Sequence, residues 1–310
     1  MSMIVGIQEK NLKLVKQFEQ TVFWLPENGS FFHEHFHLEF PFAPPGWFQD
    51  MNEYETRTHF EWLNRSVKNW KWENSTVYAT NLPDTFWIIR DGEGDVFWNT
   101  HDGHFKSRFL TMVQLQDDKI IYMKDHFDNV HVYEAAGIKL PTFIYDAPAP
   151  ESVPERPEVP KLQGEELQKN AIAAVKSMVC VDFWEDDGTS QTLANEFVHG
   201  LPFTPPDMPR YYNLREYDAL NVWLQENTKN WVVYPGTVLY ETDHEGEYII
   251  ESGGSGNESW SHCPDGFYQN RHVSYLKVEN GYAVNYDEYF DPLKKFNSIN
   301  ISIPSFPYLF

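Results

Sequence analysis

Two acidic residues, Asp125 and Glu288, occupy equivalent places in two similar stretches of the sequence, residues 119–141 and 282–304. Apolar and polar residues alternate in both stretches, which predicts a β-strand that carries each acid on its apolar side. A carboxylate among apolar side chains costs free energy unless it is paired or used in chemistry. Both acids are therefore candidate catalytic residues, and the chemistry would be proton transfer to and from a small molecule.

His59 is the candidate partner of Asp125. It stands with Trp62 and Leu63 at the i, i+3, i+4 spacing of a predicted helix, which turns all three side chains toward the interior. An imidazole and a carboxylate that bound one pocket can serve together as acid and base. A core histidine satisfied by a backbone carbonyl is the alternative that stays open. The equivalent residues of the second stretch are Leu220, Trp223 and Leu224.

The sequence is a tandem duplication, because the offset that relates Asp125 to Glu288 also relates Phe143 to Phe306. A length of 310 residues suits two domains of about 100 to 200 residues each. A proline-rich segment between the repeats predicts an extended linker. We therefore predict repeat 1 over residues 1–146, the linker over residues 147–160 and repeat 2 over residues 161–310.

Each repeat has predicted helices followed by predicted antiparallel strands, which indicates an α+β domain. The sequences DGEG (residues 91–94) and GGSG (residues 253–256) predict hairpin turns, since no helix follows them as it would a phosphate-binding loop. The predicted helices are residues 8–24, 52–67, 165–183 and 213–227, and the predicted strands of repeat 1 are residues 71–80, 85–91, 104–116 and 119–127.

The composition limits the partners of the chain. Its formal net charge is -22, with 46 acidic against 24 basic side chains, which disfavours nucleic acids and anionic membranes and favours an amine or iminium substrate. Because neither a long apolar run nor a signal-peptide pattern is found, we expect a cytoplasmic protein with no membrane contact. Cys180 and Cys263 are expected to be free thiols. The aromatic content of 16% suits either aromatic-walled pockets or an aromatic-rich core.

Metal and cofactor sites are not predicted. His33, His35 and His37 would share one face of an extended strand, but no clear fourth ligand accompanies them, so a metal site is the weaker interpretation. No dinucleotide, Walker or GxSxG motif occurs. Arg108 and Arg271 occupy corresponding positions and could bind an anion or an enolate oxygen, although an ion pair is the simpler role.

The order of motifs in repeat 1 resembles the phenazine-biosynthesis A/B proteins. These belong to the SnoaL-like, ketosteroid-isomerase-like group of the nuclear transport factor 2 superfamily. Repeat 2 keeps a thinner version of the pattern in Trp231, Gly254, Gly256, Glu288 and residues 301–304. The motifs of repeat 1 are NWKW at residues 69–72, Phe86-Trp87, DGEG at residues 91–94, Phe109-Leu110, DKI at residues 118–120 and residues 138–141.

The resemblance implies two cone-shaped α+β domains that pair within one chain as a pseudo-dimer, so that the protein would be a monomer. It also implies cofactor-free chemistry by a glutamate on the last strand beside a helix histidine. Glu288 matches that glutamate, Asp125 matches its position and His59 matches the histidine, whereas Leu220 makes repeat 2 look like the less active partner. The family's arginine for a substrate carboxylate has no clear match in either repeat.

The sequence thus favours a cofactor-free acid/base enzyme of specialised-metabolite biosynthesis. The reaction would be a cyclisation, condensation, isomerisation or dehydration of a small molecule. A noncatalytic protein that binds or sequesters an aromatic small molecule is the alternative, because the same pocket would serve either role. The catalytic candidates are His59, Asp125 and Glu288, and the candidate substrate contacts are Trp62, Trp72, Phe109, Arg108, Tyr286 and Arg271.

Overall fold

The computed structural model describes residues 2–143, 145, 149–179, 192–259 and 266–307, with side chains from residue 8 onward. The chain forms two compact units. Unit 1 comprises Met1–Pro141 and Ile303–Phe310, and unit 2 comprises Thr142–Ser302. Cys180 and Cys263, which the sequence predicts to be free thiols, lie outside the described residues. Within the described residues, no helix is both long and apolar enough to cross a membrane.

Unit 1 packs helices against one sheet of six strands in the order β2-β1-β6-β5-β4-β3. Neighbouring strands are antiparallel except β1 and β6, which run parallel. The elements are α1 (Ser2–Phe18), β1 (Phe32–Glu39), β2 (Asp50–Met51), α2 (Glu53–Ser66), β3 (Val67–Ala79), β4 (Thr85–Trp98), β5 (His101–Gln116), β6 (Lys119–Phe127) and α3 (Asn129–Ala135).

Unit 2 repeats this plan with a sheet in the order β10-β11-β12-β13-β7-β8, in which β9 also pairs with β11. The parallel pair is now β13 with β7. The elements are α4 (Gly164–Val179), β7 (Leu193–Gly200), β8 (Tyr211–Asn213), α5 (Leu214–Asn227), β9 (Thr228–Val233), β10 (Val238–Glu241), β11 (Glu247–Glu258), β12 (Gly266–Glu279), β13 (Tyr282–Phe290) and α6 (Pro292–Ser298). Two tandem α+β units, as the sequence predicts, are therefore confirmed.

The helices α2 and α5 begin in the same way. Asn52 and Asn213 are the N-caps, and each accepts a hydrogen bond from the backbone N–H three residues later while Glu55 or Glu216 bonds back. This reciprocal capping box fixes the first turn of each helix. Because both helices start at matching residues, any position in α2 can be equated with its counterpart in α5.

The prediction of hairpin turns at residues 91–94 and 253–256 is wrong, because both segments lie inside long strands, β4 and β11. Their glycines serve a different purpose. A Cβ on Gly92 would lie 2.6 Å from the rings of Trp70 and Trp72, and one on Gly254 would lie 2.4 Å from the ring of Trp231. Glycine is required here because tryptophan rings lie directly on the backbone of the strand.

The two repeats have exchanged their C-terminal tails. Residues 303–310 belong to unit 1, where the Phe306 N–H donates to the Pro45 carbonyl at 2.7 Å and the Phe306 ring packs against Trp47. The matching tail of repeat 1 belongs to unit 2, where Phe143 packs edge-on against Phe296. The compact units thus differ at their ends from the sequence repeats, and residues 149–160 of the predicted linker are part of unit 2.

Candidate functional site

The candidate site of each unit lies between its sheet and one helix, α2 in unit 1 and α5 in unit 2. The pairing register of the strands shows which residues of the two sites are equivalent. Thr111 stands opposite Asp125 in unit 1, as Ser274 stands opposite Glu288 in unit 2. Two residues away along the same strands, Phe109 lies opposite Phe127 and His272 lies opposite Phe290. The phenylalanine beside the acid in unit 1 is therefore a histidine in unit 2.

Unit 1 encloses a cavity of about 40 Å³ that brings together His59, Asp125 and Phe109, three of the residues singled out in the sequence. A cavity of this size holds little more than one water molecule. Its walls are almost entirely aromatic and aliphatic. The other lining residues are Phe23, Trp24, Phe40, Trp47, Leu63, Val67, Trp70, Trp98, Phe105 and Phe127.

The carboxyl of Asp125 is buried, with 2% of its surface exposed. Its Oδ1 accepts a hydrogen bond of 2.6 Å from the Thr111 hydroxyl. Burial raises the pKa of Asp125 to about 6, against the opposing effects of the Thr111 hydrogen bond and the positive charge of Arg90. Such a carboxyl exchanges its proton near neutral pH, which is the property that a general acid requires.

His59 is held in a neutral state by its surroundings. Its ring lies edge-on to Phe40 at 5.2 Å and to Trp47 at 5.7 Å between centroids. Burial lowers the pKa of His59 to about 3, so the imidazole is uncharged at neutral pH. Asp125 therefore faces a neutral histidine, and the positive charge that acts on it belongs to Arg90.

Arg90 was not identified from the sequence, and it explains the position of Trp72. Its guanidinium lies 3.6 Å from the ring centroid of Trp72 and donates to the Glu19 carbonyl at 2.5 Å. The Trp72 indole in turn donates to the Thr21 carbonyl at 2.8 Å. Burial lowers the pKa of Arg90 to about 10, although Asp125 and Glu19 act to raise it. Trp72 thus covers a buried cation and is not among the residues that line the cavity.

Trp62 packs against two residues that line the cavity of unit 1. Its ring is stacked on Trp98 at 5.7 Å between centroids and also contacts His59 at 5.7 Å. Trp98 and His59 line the cavity, whereas Trp62 is not one of the lining residues. The described structure therefore gives Trp62 a place in the packing that orients His59.

Unit 2 encloses a cavity of about 80 Å³ with a much more polar wall. Glu288 and Tyr286, both singled out in the sequence, line it, and so does His272. Nδ1 of His272 lies 2.5 Å from Oε1 of Glu288, which makes a short hydrogen bond between the imidazole and the carboxyl. Nε2 of the same ring is buried and has no hydrogen-bond partner among the described residues. The arrangement is a carboxylate–imidazole dyad with one ring nitrogen available.

Glu288 lies on an apolar strand face opposite Leu220 of the helix, a setting that by itself predicts a raised pKa. Burial does act to raise the pKa of Glu288, but the charge and hydrogen bond of His272, together with His199 and Lys295, lower it below its ordinary value. The histidine of unit 2 stands on a strand, at the position of Phe109 in unit 1, and not on the helix.

A second histidine and a buried ion pair complete the polar wall. The His199 Nδ1–H donates to the Tyr286 carbonyl at 3.0 Å, and burial lowers the pKa of His199 despite the nearby charge of Glu288. At the other end, Lys295 pairs with Glu258 at 2.6 Å and lies 3.6 Å from the ring centroid of Tyr268. The ion pair is nearly buried, so the cavity has a fixed dipole at this end.

The two arginines singled out in the sequence lie elsewhere. Arg108 pairs with Asp91, with Nε 3.1 Å from Oδ1, in a half-exposed ion pair. Arg271 directly precedes His272 on β12 and is exposed. Neither is among the described residues that line the two cavities. Strand alternation accounts for this, because neighbouring residues of β12 face opposite sides of the sheet.

The histidine cluster of β1 has other partners. Nε2 of His37 lies 2.6 Å from Oδ1 of Asp50, and the His37 ring stacks on Tyr122. The rings of His33 and His35 lie 5.5 Å apart. No group of three or more potential metal ligands occurs among the residues with described positions.

Comparisons with known proteins agree with the internal repeat. The family model "Phenazine biosynthesis protein A/B" matches the chain twice, over residues 49–148 and 208–307. Phenazine biosynthesis protein PhzB of Pseudomonas fluorescens is 27% identical over 84 residues, which are 27% of this chain and 52% of that protein. PhzA1 of Pseudomonas aeruginosa is 26% identical over 82 residues, 26% of this chain and 51% of that protein. The chain thus spans about half the length of these curated relatives.

One solved structure with partial similarity is the phenazine biosynthesis-related protein PhzB2 of Pseudomonas aeruginosa. It matches 50% of this chain and 99% of its own chain, with a TM-score of 0.42 and 21% identity. The double match of the family model covers more than half of the sequence and falls on both repeats. The chain therefore belongs to the phenazine biosynthesis protein A/B family, as a tandem of two family units.

Proposed function

We propose that this chain is a cofactor-free general acid/base enzyme of specialised-metabolite biosynthesis, and that proton transfer takes place in unit 2. The observation that carries the proposal is the 2.5 Å contact between Nδ1 of His272 and Oε1 of Glu288 at the wall of a cavity. Family membership supports the metabolic setting, and the dyad supports the reaction type. The cytoplasmic location, the monomeric state and the paired arrangement of the units remain predictions.

The dyad determines which nitrogen acts as the base. Because the lowered pKa of Glu288 keeps it ionised, its oxygen accepts and Nδ1 of His272 carries the proton. In the uncharged form of the ring, the lone pair then lies on Nε2, which has no partner among the described residues. Nε2 would take a proton from an acidic C–H or N–H of the substrate, and Glu288 would stabilise the resulting imidazolium.

The proton balance allows several reactions of the predicted set. Return of the proton from Nε2 to a different substrate atom completes an isomerisation. Delivery to a departing hydroxyl completes a dehydration and releases water. Tyr286, Tyr217 and the Lys295–Glu258 pair supply the polar groups that would orient the substrate during the transfer.

Unit 1 has the weaker claim to catalysis under this proposal. Its acid, Asp125, has the pKa of a proton donor, but the surrounding cavity of about 40 Å³ admits little more than water. The predicted pair of His59 and Asp125 is therefore kept as the rival site. A noncatalytic binding protein is the rival function, since an aromatic-walled cavity with a few polar groups suits either purpose.

The test uses a molecule small enough for the cavity of unit 2. Exchange of the methyl protons of acetone with deuterated water, followed by NMR, reports the abstraction of a proton from carbon by a general base. We expect the chain to exceed free imidazole at the same pH, and His272→Phe, which installs the residue of unit 1, to remove the excess. A wild-type rate equal to that of free imidazole would favour the binding protein.

A further inference from the structure

The cavity of unit 2 is too small for a whole metabolite. At about 80 Å³ it has roughly half the volume of the engineered 150 Å³ cavity that holds benzene, and ligand pockets usually measure about 300 to 1,000 Å³. Only a small head group of a substrate fits beside the Glu288–His272 dyad. The rest of the molecule must therefore extend beyond the cavity into a neighbouring space.

A groove of about 800 Å³ adjoins the cavity on the outer side of α5. Tyr217 and Asn221 line both spaces, so these two side chains form the partition between them. Asn221 is short, half-buried and hydrogen-bonded to Tyr217. The outer groove is walled mainly by aliphatic, proline and amide groups, which include Pro154, Pro157, Pro160, Leu193, Val222 and Asn195.

The proline-rich segment forms one wall of this groove and is fastened to unit 2. Arg156 makes two contacts with the carboxylate of Asp218, one of them at 2.6 Å. The Val159 N–H donates to the Asn195 side chain at 3.2 Å, and the Tyr282 hydroxyl donates to the Pro160 carbonyl at 2.9 Å. Prolines limit the conformations of the segment, so the wall is largely preorganised. Arg156 neutralises Asp218, but Glu155 and Glu158 also line the groove, so it disfavours an anionic occupant.

We propose that the cavity and the groove form one composite substrate site. The segment Val153–Leu162 is a substrate-binding wall of the groove, and the substrate passes from the cavity into the groove beside Asn221. The proposal rests on the general-base function of unit 2 and extends it to the substrate class. That class is an elongated, uncharged or cationic molecule with a small hydrogen-bond-donating head and a largely apolar body. The head meets Nε2 of His272, and the body lies in the groove.

Unit 1 supplies a natural comparison, because the capping boxes equate Asn221 with Phe60 and Tyr217 with Thr56. The Phe60 ring packs against Phe23 and against Phe32, each at 5.6 Å between centroids. Unit 1 also has an outer groove, of about 550 Å³, but a cluster of aromatic rings stands at the equivalent position. The same helix position therefore has a small amide side chain in unit 2 and a phenyl ring in unit 1.

The experiment measures binding of primary alcohols from butanol to octanol by NMR titration, with the ring resonances of His272 and Tyr217 as reporters. In the unmodified chain, each methylene that enters the groove should improve affinity by about fourfold. Asn221→Phe should remove this dependence on chain length, because the ring fills the passage. Catalysis is not measured, so a failure of the general-base function would leave this result unchanged.

A matched variant in unit 1 separates the effect of the passage from the effect of the substitution itself. Phe60→Asn makes the reciprocal exchange in unit 1 and should leave the dependence on chain length unaltered. A flat series in the unmodified chain, or an unchanged slope in Asn221→Phe at an unchanged melting temperature, would overturn the composite site.

Discussion

The cavities of the two units have an acidic residue at the same strand position, but the pKa of that residue is shifted in opposite directions. Asp125 has a hydroxyl neighbour, Thr111, and a pKa raised to about 6 by burial. Glu288 is hydrogen-bonded to His272, and the pKa of Glu288 is lowered despite burial. The comparison shows that burial alone does not determine what a carboxyl can do. The neighbour one strand away decides whether it holds a proton or a negative charge.

The difference arises because the histidine of the site stands on the helix in unit 1 and on a strand in unit 2. Unit 1 has His59 on α2 and Phe109 on β5, whereas unit 2 has Leu220 on α5 and His272 on β12. A strand neighbour lies within hydrogen-bonding distance of the acid, as the 2.5 Å contact of His272 shows. The helix histidine instead lies among aromatic rings, and its pKa is lowered to about 3.

The largest expected effect concerns the acids themselves. Glu288→Gln removes the charge that stabilises the imidazolium of His272, so acetone exchange should fall by about 100-fold or more. Asp125→Asn, the matched change in unit 1, should alter the exchange rate by about twofold at most. Rates from NMR on both variants decide between the units. The reverse pattern would place catalysis in unit 1 and restore the pair of His59 and Asp125.

A second prediction uses the helix positions. The pKa of His59 is about 3 in the folded state and 6.5 in the unfolded state. As the pH falls, the unfolded state therefore binds a proton before the folded state does. Stability is lost as the pH falls below 6.5. This cost should reach about 3 kcal/mol at pH 4. His59→Leu, which installs the residue of unit 2, should remove that part of the acid sensitivity. Urea unfolding at pH 4 and pH 7 measures it, and equal pH slopes in both proteins would contradict the prediction.

The third prediction concerns the sign of two stability changes. The raised pKa of Asp125 means that the folded state resists ionisation, so stability falls as pH rises from 3.8 through 6. Asp125→Asn should therefore stabilise the protein at pH 7, by as much as about 3 kcal/mol. Glu288, whose pKa is lowered, contributes stability at pH 7 that is lost in acid, so Glu288→Gln should destabilise it. Melting temperatures that shift in the same direction would show that the two acids do not differ as described.

Much of the candidate site could be predicted from the sequence. Alternation along β6 and β13 identified Asp125 and Glu288, helical spacing identified His59, and all three line cavities. His272, His199 and Arg90 were missed, because each acts through a partner on another strand or helix. Residue spacing within one element carries no information about such partners.

The sequence by itself determined the duplication and the family through repeated motifs and their resemblance to known proteins. It determined the α+β class and the burial of the acids through periodicity within single elements. The tertiary structure alone decided the remaining properties. Glycines predicted to form turns lie under the tryptophan rings of neighbouring strands, and the C-terminal tails have exchanged units. The ionisation of Glu288 likewise depends on His272, a residue of another strand. The physical reason is that steric fit and electrostatic energy depend on distances between side chains, which are fixed only when the strands pair and the helices pack on them.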